Sequence, residues 1–517
     1  MINFKVKKAE EMTIEELIGQ IIMIGLPYTY LDESSKEFIK EKRIGNYILF
    51  ARNYDNTKDM KNFMQDLYEY TVNEVGSYPL VSIDQEGGMV VRLFKDVTFP
   101  ASPLTTSATS ISNAPYITGS IIAKDMLKLG INLNLAPCLE INEKLENPLV
   151  NVRGYGANKE IVCKNADAFV KGLQEGGVLS CIKHFPGAGS STKDSHLELP
   201  IINDSKEDLL QYNMYPFSKL SRSDALMTSH CIYSSFDDIP STLSYELLTN
   251  VLRKRMNFNG LIISDGMEMK AITDYYGLGN GCVMALNAGC DILLLCHDPF
   301  EQRVAFDAVY DAVDKGIISK EILIEKVERI NKAKEQIRNN LSTYFIDEPY
   351  EQNLEEQKIM QDIVDSSYTL VLGDAPCLKE KTLILSSNAK VASIVEDEFD
   401  ERNLTNALIH NLTNVDIIKF TSSLNIDEIL KKSDLYDSII IYSYDAYKDD
   451  IQKEVINKLL EKNSNKVYVV SIKGPIDKPY FKNLTNYSCL YEYTPNSIRT
   501  IIKQLKNEIK LTGKLPL

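Results

Sequence analysis

The order of apolar and polar positions divides the chain into two unequal parts. In the first part, short runs that are apolar on both sides of an extended chain recur at 20–25, 46–51, 80–84, 131–136, 178–183, 225–229, 261–264 and 292–295. Strands buried on both faces read this way, because helices cover both sides of a parallel sheet. Between the runs, 57–75, 117–129, 161–175, 209–220, 245–255 and 281–288 place apolar residues at helical spacing. A helix over 13–19 precedes the first run, with Thr13 and Glu16 where a capping box puts them. Eight strands alternating with helices over about 300 residues predict a (β/α)8 barrel, with a doubly wound parallel sheet as the alternative.

A helical segment at 301–339 closes this first part. Residues 340–356 are acidic and polar, contain Pro349 and predict a linker. Beyond them, 382–385, 438–442 and 466–471 are strand-like, and amphipathic helices such as 426–433 and 450–462 lie between. The expected organisation is α/β throughout. It comprises a catalytic barrel domain over 1–339, a linker over 340–356 and a smaller accessory three-layer α/β sandwich over 357–517. No chemical motif stands out in the second domain.

Composition narrows the partners more than the fold. The net charge of −15 argues against nucleic acid or an anionic membrane surface, either of which needs clustered Lys and Arg. No apolar run approaches the length of a membrane span, and none follows Met1–Lys8 as in a secretory leader. Nine cysteines, none in a C-x-x-C pair, suit free thiols in a reducing compartment. The expectation is a cytoplasmic protein that takes a small molecule and uses no metal or organic cofactor. Its oligomeric state is left open.

The chemistry gathers where the barrel strands end, since those ends share one mouth. The third strand ends at Asp84, with Arg92 shortly after. The fourth leads through Pro137 to Asn147 and Arg153, the fifth ends at Lys183-His184, the sixth at His230 and the seventh at Asp265. Carboxylates that accept and cations that donate are what sugar hydroxyls require, and Asp84, Arg92, Arg153, Lys183 and His184 supply that mixture. Asp265, on a rigid strand end, is the candidate carboxylate nucleophile of a retaining glycosyl transfer. The polar loop after the fifth strand carries Asp194 and His196. Positions i and i+2 of an extended segment face the same way. Asp194 can therefore orient His196 and favour its protonated form, making the pair a candidate acid/base.

These motifs together resemble glycoside hydrolase family 3, and specifically its β-N-acetylhexosaminidase (NagZ-like) branch. The likeness runs over about residues 13–337 and is carried by Asp84-Gln85-Glu86-Gly87-Gly88 with Arg92; Asn147-Pro148 with Arg153-Gly154-Tyr155-Gly156; Lys183-His184-Phe185-Pro186-Gly187; Asp194-Ser195-His196; Ser241-Thr242-Leu243-Ser244; and Asp265-Gly266-Met267-Glu268-Met269. The resemblance implies an exo-acting, retaining β-N-acetylglucosaminidase for muropeptides or related oligosaccharides. It implies Asp265 as nucleophile, His196 assisted by Asp194 as acid/base, and Asp84, Arg92, Arg153, Lys183 and His184 around the terminal sugar. Three positions depart from the family's pattern: Ala188 replaces the His of Gly-His-Gly, Met89 stands where Arg is common, and Asn158 where Asp is common. A phosphorylase, a β-glucosidase and a non-catalytic sugar-binding protein remain alternative readings of the same residues.

Overall fold

The computed structural model describes residues 7–142, 147, 150–188, 199–341, 350–387, 403–421 and 424–516. Eight parallel strands close into a barrel: β1 (Ile22–Gly25), β2 (Asn46–Leu49), β3 (Leu80–Ile83), β4 (Leu133–Asn134), β5 (Leu179–Phe185), β6 (Ala225–Thr228), β7 (Leu261–Gly266) and β8 (Ile292–Leu295). Each pairs with its neighbours in sequence, and β8 returns to β1 through Ile22–Leu293, Met23–Leu294 and Ile24–Leu295. The doubly wound alternative is therefore set aside.

Several strands differ in extent from the sequence expectation. The helix capped by Thr13 runs through Ile21, because Leu17, Ile18 and Ile21 form its buried face. Gln20 and Ile21 thus belong to the helix and not to β1. At β4 the ladder is two residues long, and side-chain amides continue it. Asn132 Oδ1 accepts from the Val81 amide at 2.8 Å and Asn134 Oδ1 from the Gln85 amide at 3.1 Å. In the other direction, β5 runs two residues past Lys183, and β7 runs past Ser264 to Gly266. Lys183, His184 and Asp265 are consequently mounted on strands, whose backbones are fixed by neighbours on both sides.

A second sheet follows, with strands β9 (Thr369–Leu372), β10 (Thr382–Ser386), β11 (Val415–Lys419), β12 (Ser438–Ser443), β13 (Val467–Ser471) and β14 (Asn486–Cys489) in the order β9-β14-β13-β12-β10-β11. All neighbours are parallel except β9 and β14. Successive residues face opposite sides, and both sides are covered. Ile384, Ile440 and Val470 pack with Ile501 and Leu505 of the helix Pro495–Leu505. Leu385, Ile441 and Val469 pack with Val455 and Leu459 of the helix Asp450–Asn463. The first of these two cores is shared with the barrel, since Met89, Leu104, Ala108 and Val152 belong to it.

Candidate active site

Six of the sequence-selected residues come together. Asp84, Arg92, Arg153, Lys183, His184 and Asp265 all line one cavity of about 550 Å³ at the C-terminal mouth of the barrel, within the size range of small-molecule sites. They arrive from β3, β5, β7 and two loops that the strand ends launch. Asp194 and His196 lie outside the described residues. The base of their loop is tied down where Asn147 Nδ2 donates to the Ala188 carbonyl at 3.1 Å.

One wall is a buried charge network centred on Glu86. Arg153 grips this carboxylate with two nitrogens, Nε to Oε2 at 2.9 Å and Nη2 to Oε1 at 2.7 Å. Lys183 Nζ reaches Glu86 Oε1 and Asp84 Oδ1, each at 2.7 Å, and Arg92 Nη2 stands 3.7 Å from Asp84 Oδ2. Burial pushes the Glu86 carboxyl up, but the charges of Arg153 and Lys183 and their hydrogen bonds outweigh it and hold it far below the ordinary carboxylate range. Lys183 mirrors this. Burial pulls its ammonium down, and Asp84 and Glu86 more than reverse the effect. Glu86 and Lys183 therefore hold their charges, and the Lys183 ammonium fixes Asp84 from one side.

The turn that carries this wall is built on glycine. Gly87 and Gly88 take φ of +104° and +62°, a region that side chains disfavour. Cβ atoms there would lie 2.2 Å from the Ala101 carbonyl oxygen and 2.3 Å from Ser102 Cβ. Gln85 then fixes the return of the chain, its Oε1 accepting from the amides of Arg92 and Leu93 at 2.9 and 3.1 Å.

Glu140, which sequence reasoning passed over, holds His184. Its Oε1 accepts from the His184 amide at 2.9 Å and lies 2.7 Å from His184 Nδ1. The imidazole's orientation is thereby set, leaving Nε2 as the other ring nitrogen. Glu140 Oε2 is buried and has no hydrogen-bond partner among the described residues. The only signal in the chain was an acidic residue in the extended segment after Pro137. Among the described residues, Cys138, Glu140 and His184 bring three potential metal-ligating atoms within 4.8 Å of one another. Glu140 and His184 are already bonded to each other, and the Cys138 thiol donates to Glu86 Oε2 at 3.5 Å.

Asp265 lies beyond, at the end of β7. The Gly266 amide donates to its Oδ1 at 2.8 Å, which restricts the carboxylate's rotation. His230 does not line the cavity, contrary to its place among the strand-end candidates. It is fully buried, with Nδ1 2.8 Å from Thr242 Oγ1 and Nε2 donating to the Gly266 carbonyl at 2.9 Å. The strand end turns inward there, so His230 braces the backbone beside Asp265.

The opposite wall holds three further residues not selected from sequence. Arg52 Nη1 donates to His297 Nδ1 at 3.0 Å, and Glu268 Oε1 accepts from the His297 amide at 2.8 Å. Burial, and then the Arg52 charge, push the His297 pKa below the ordinary imidazole value, which favours the neutral ring. Arg52 and His297 fall one and two residues past apolar runs and Glu268 four, and only the closure of β8 onto β1 brings them together.

Fold and site define a barrel enzyme whose mouth presents carboxylates and cations to a small polar ligand. The description "Glycosyl hydrolase family 3 N terminal domain" matches residues 13–333. The chain belongs to this family and is a glycosidase. It is 28% identical over 429 residues to "Beta-hexosaminidase A" of Pseudoalteromonas piscicida, covering 74% of this chain and 70% of that protein. It is 33% identical over 285 residues to "Beta-hexosaminidase" of Haemophilus influenzae, covering 54% of this chain and 79% of the relative. Among solved structures, a family 3 β-N-acetylglucosaminidase from Paenibacillus sp. str. FPU-7 superposes with a TM-score of 0.91 at 28% identity over 98% of both chains. That similarity spans both sheets.

Proposed function

We propose that the chain is an exo-acting, retaining β-N-acetylglucosaminidase that removes terminal non-reducing N-acetylglucosamine from muropeptides or related oligosaccharides. Asp84, Arg92, Arg153, Lys183 and His184 hold the terminal sugar. The Asp265 carboxylate bonds to the anomeric carbon as the glycosidic C–O bond breaks, and His196, assisted by Asp194, gives its proton to the leaving oxygen. The neutral imidazole then takes a proton from water, whose oxygen displaces Asp265 and releases the sugar. The observation that carries this is the placement of Asp265 in the same cavity as the Asp84–Lys183–Glu86–Arg153 network. The two hexosaminidase relatives and the Paenibacillus structure supply the preference for an N-acetyl sugar.

The domain limits at 1–339, 340–356 and 357–517 form part of the proposal, and so does a cytoplasmic location. All nine cysteines are free thiols, which suits a reducing compartment. Among the described residues, no helix is long and apolar enough to cross a membrane.

A panel of aryl glycosides assayed with and without phosphate tests the assignment. The expected result is release of the aglycone from the N-acetylglucosaminide, unaffected by phosphate, with loss of turnover in Asp265→Ala and in His196→Ala. Full activity in either variant overturns the roles, and a sugar 1-phosphate product replaces hydrolysis with phosphorolysis.

A further inference from the structure

Among the described residues, those lining the cavity run from Ile48 to His297 in sequence, and none comes from the second sheet. The second sheet nevertheless reaches the Asp84–Arg92 turn from behind. Glu492, fully buried just past β14, accepts from the Ser102 amide and from Thr105 Oγ1, each at 2.7 Å, through one oxygen. Its other oxygen accepts from Thr494 Oγ1 at 2.6 Å. Thr494 in turn caps the helix Pro495–Leu505. The segment that Glu492 grips is the one lying on the glycine turn. Ser102 occupies the space above Gly88, and the Gly88 amide donates to the Pro100 carbonyl at 2.8 Å.

Neighbouring bonds repeat the pattern. The Tyr493 amide donates to Met89 Sδ at 3.4 Å, Ser102 Oγ donates to the Tyr491 carbonyl at 3.1 Å, and Asn496 Nδ2 donates to the Phe99 carbonyl at 3.1 Å. Met89 and Val152, which adjoin the acidic turn and Arg153, are buried in the second sheet's core with Tyr491 and Tyr493.

We propose that Glu492 is a positioning residue for the sugar-binding wall, holding the Gly87–Gly88 turn, and with it Asp84, Glu86 and Arg92, through Ser102 and Thr105. The role of the second sheet in catalysis is then mechanical: it backs a wall of the pocket. This inference rests on the glycosidase reading above for its kinetic consequence, and on geometry alone for its structural one.

The test compares Glu492→Ala and Glu492→Gln in the full chain. Gln keeps an oxygen for Ser102 and Thr105 and an amide for Thr494, so charge is not needed but hydrogen-bonding shape is. Glu492→Ala is expected to raise KM for an aryl N-acetylglucosaminide and to lower kcat/KM by about ten- to a hundredfold, the scale of small misplacements of binding groups. It should also speed hydrogen exchange over 84–105 while leaving exchange at β6 and β7 unchanged. Glu492→Gln should restore both. Wild-type kcat/KM together with wild-type exchange in Glu492→Ala overturns the proposal, as does accelerated exchange spread evenly over the barrel. If the wild type cleaves no glycoside, the proposed function fails, and the exchange pattern still decides the positioning role.

Discussion

Lys183 and Glu86 face each other at 2.7 Å with both side chains almost wholly withdrawn from water. Removing one member of such a pair strands the other. Lys183→Met should destabilise the protein by about 3–5 kcal/mol, because Asp84 and Glu86 lose their shared cation. Thermal and urea unfolding measure this. A variant as stable as the wild type would show that Arg153 and Arg92 suffice to neutralise the two carboxylates.

Acid sensitivity follows from the same network. The folded-state pKa of Glu86 is depressed, so the unfolded chain binds more protons as the pH falls. The stabilisation is complete above the ordinary glutamate value of about 4.3 and is lost as pH drops toward the depressed one. The gap in unfolding free energy between wild type and Glu86→Gln should therefore be widest near neutral pH and shrink below about pH 4. A gap that is constant from pH 7 to pH 3 would mean that Glu86 does not carry its charge in the fold.

Glu140 should matter for ligand affinity more than for stability. One of its oxygens serves both the amide and the ring of His184, and an apolar side chain at this position accepts from neither. Glu140→Leu is expected to raise KM for an N-acetylglucosaminide about tenfold or more, with a melting temperature within a few degrees of the wild type. Unchanged KM would release His184 from its dependence on Glu140.

Met89 offers a test of the shared core. The family pattern that the sequence resembles has Arg at this position, but here the side chain is buried with Tyr491 and Tyr493 and its sulfur accepts from the Tyr493 amide. Met89→Arg would force an unpaired cation into that core and should cost about 3 kcal/mol or more, while Met89→Leu should cost less than about 1.5 kcal/mol. Differential scanning calorimetry separates the two outcomes.

The sequence made the barrel legible because each of its strands is apolar on both sides, a pattern few other elements share. The second sheet was harder. β10, β12 and β13 are central and apolar, but β11 lies at an edge and is partly exposed, and β14 reads Asn486-Tyr487-Ser488-Cys489 with little apolar signal. Within the site, residues at strand ends stood out as charged groups closing apolar runs. Glu86 was visible only as part of a glycine-containing motif, since its partners come from elsewhere, Arg153 from the loop after β4 and Lys183 from β5. Asn158 shows the reverse case, a departure from the family with a local reason. Its side chain caps the helix Lys159–Glu175 by accepting from the amides of Glu160 and Ile161, a task Asn performs as well as Asp.

Gly156, three residues past Arg153, has φ of +142°, and the Pro516 carbonyl oxygen sits 2.2 Å from where its Cβ would be. The loop bearing Arg153 therefore leans on backbone that the ribosome makes long after the barrel strands have emerged. A nascent chain can close its barrel early yet lack a finished pocket until this late segment is delivered. For anyone engineering the protein, a deletion or fusion near residue 516 is an alteration beside the loop that carries Arg153 into the pocket, however distant it looks on a linear map.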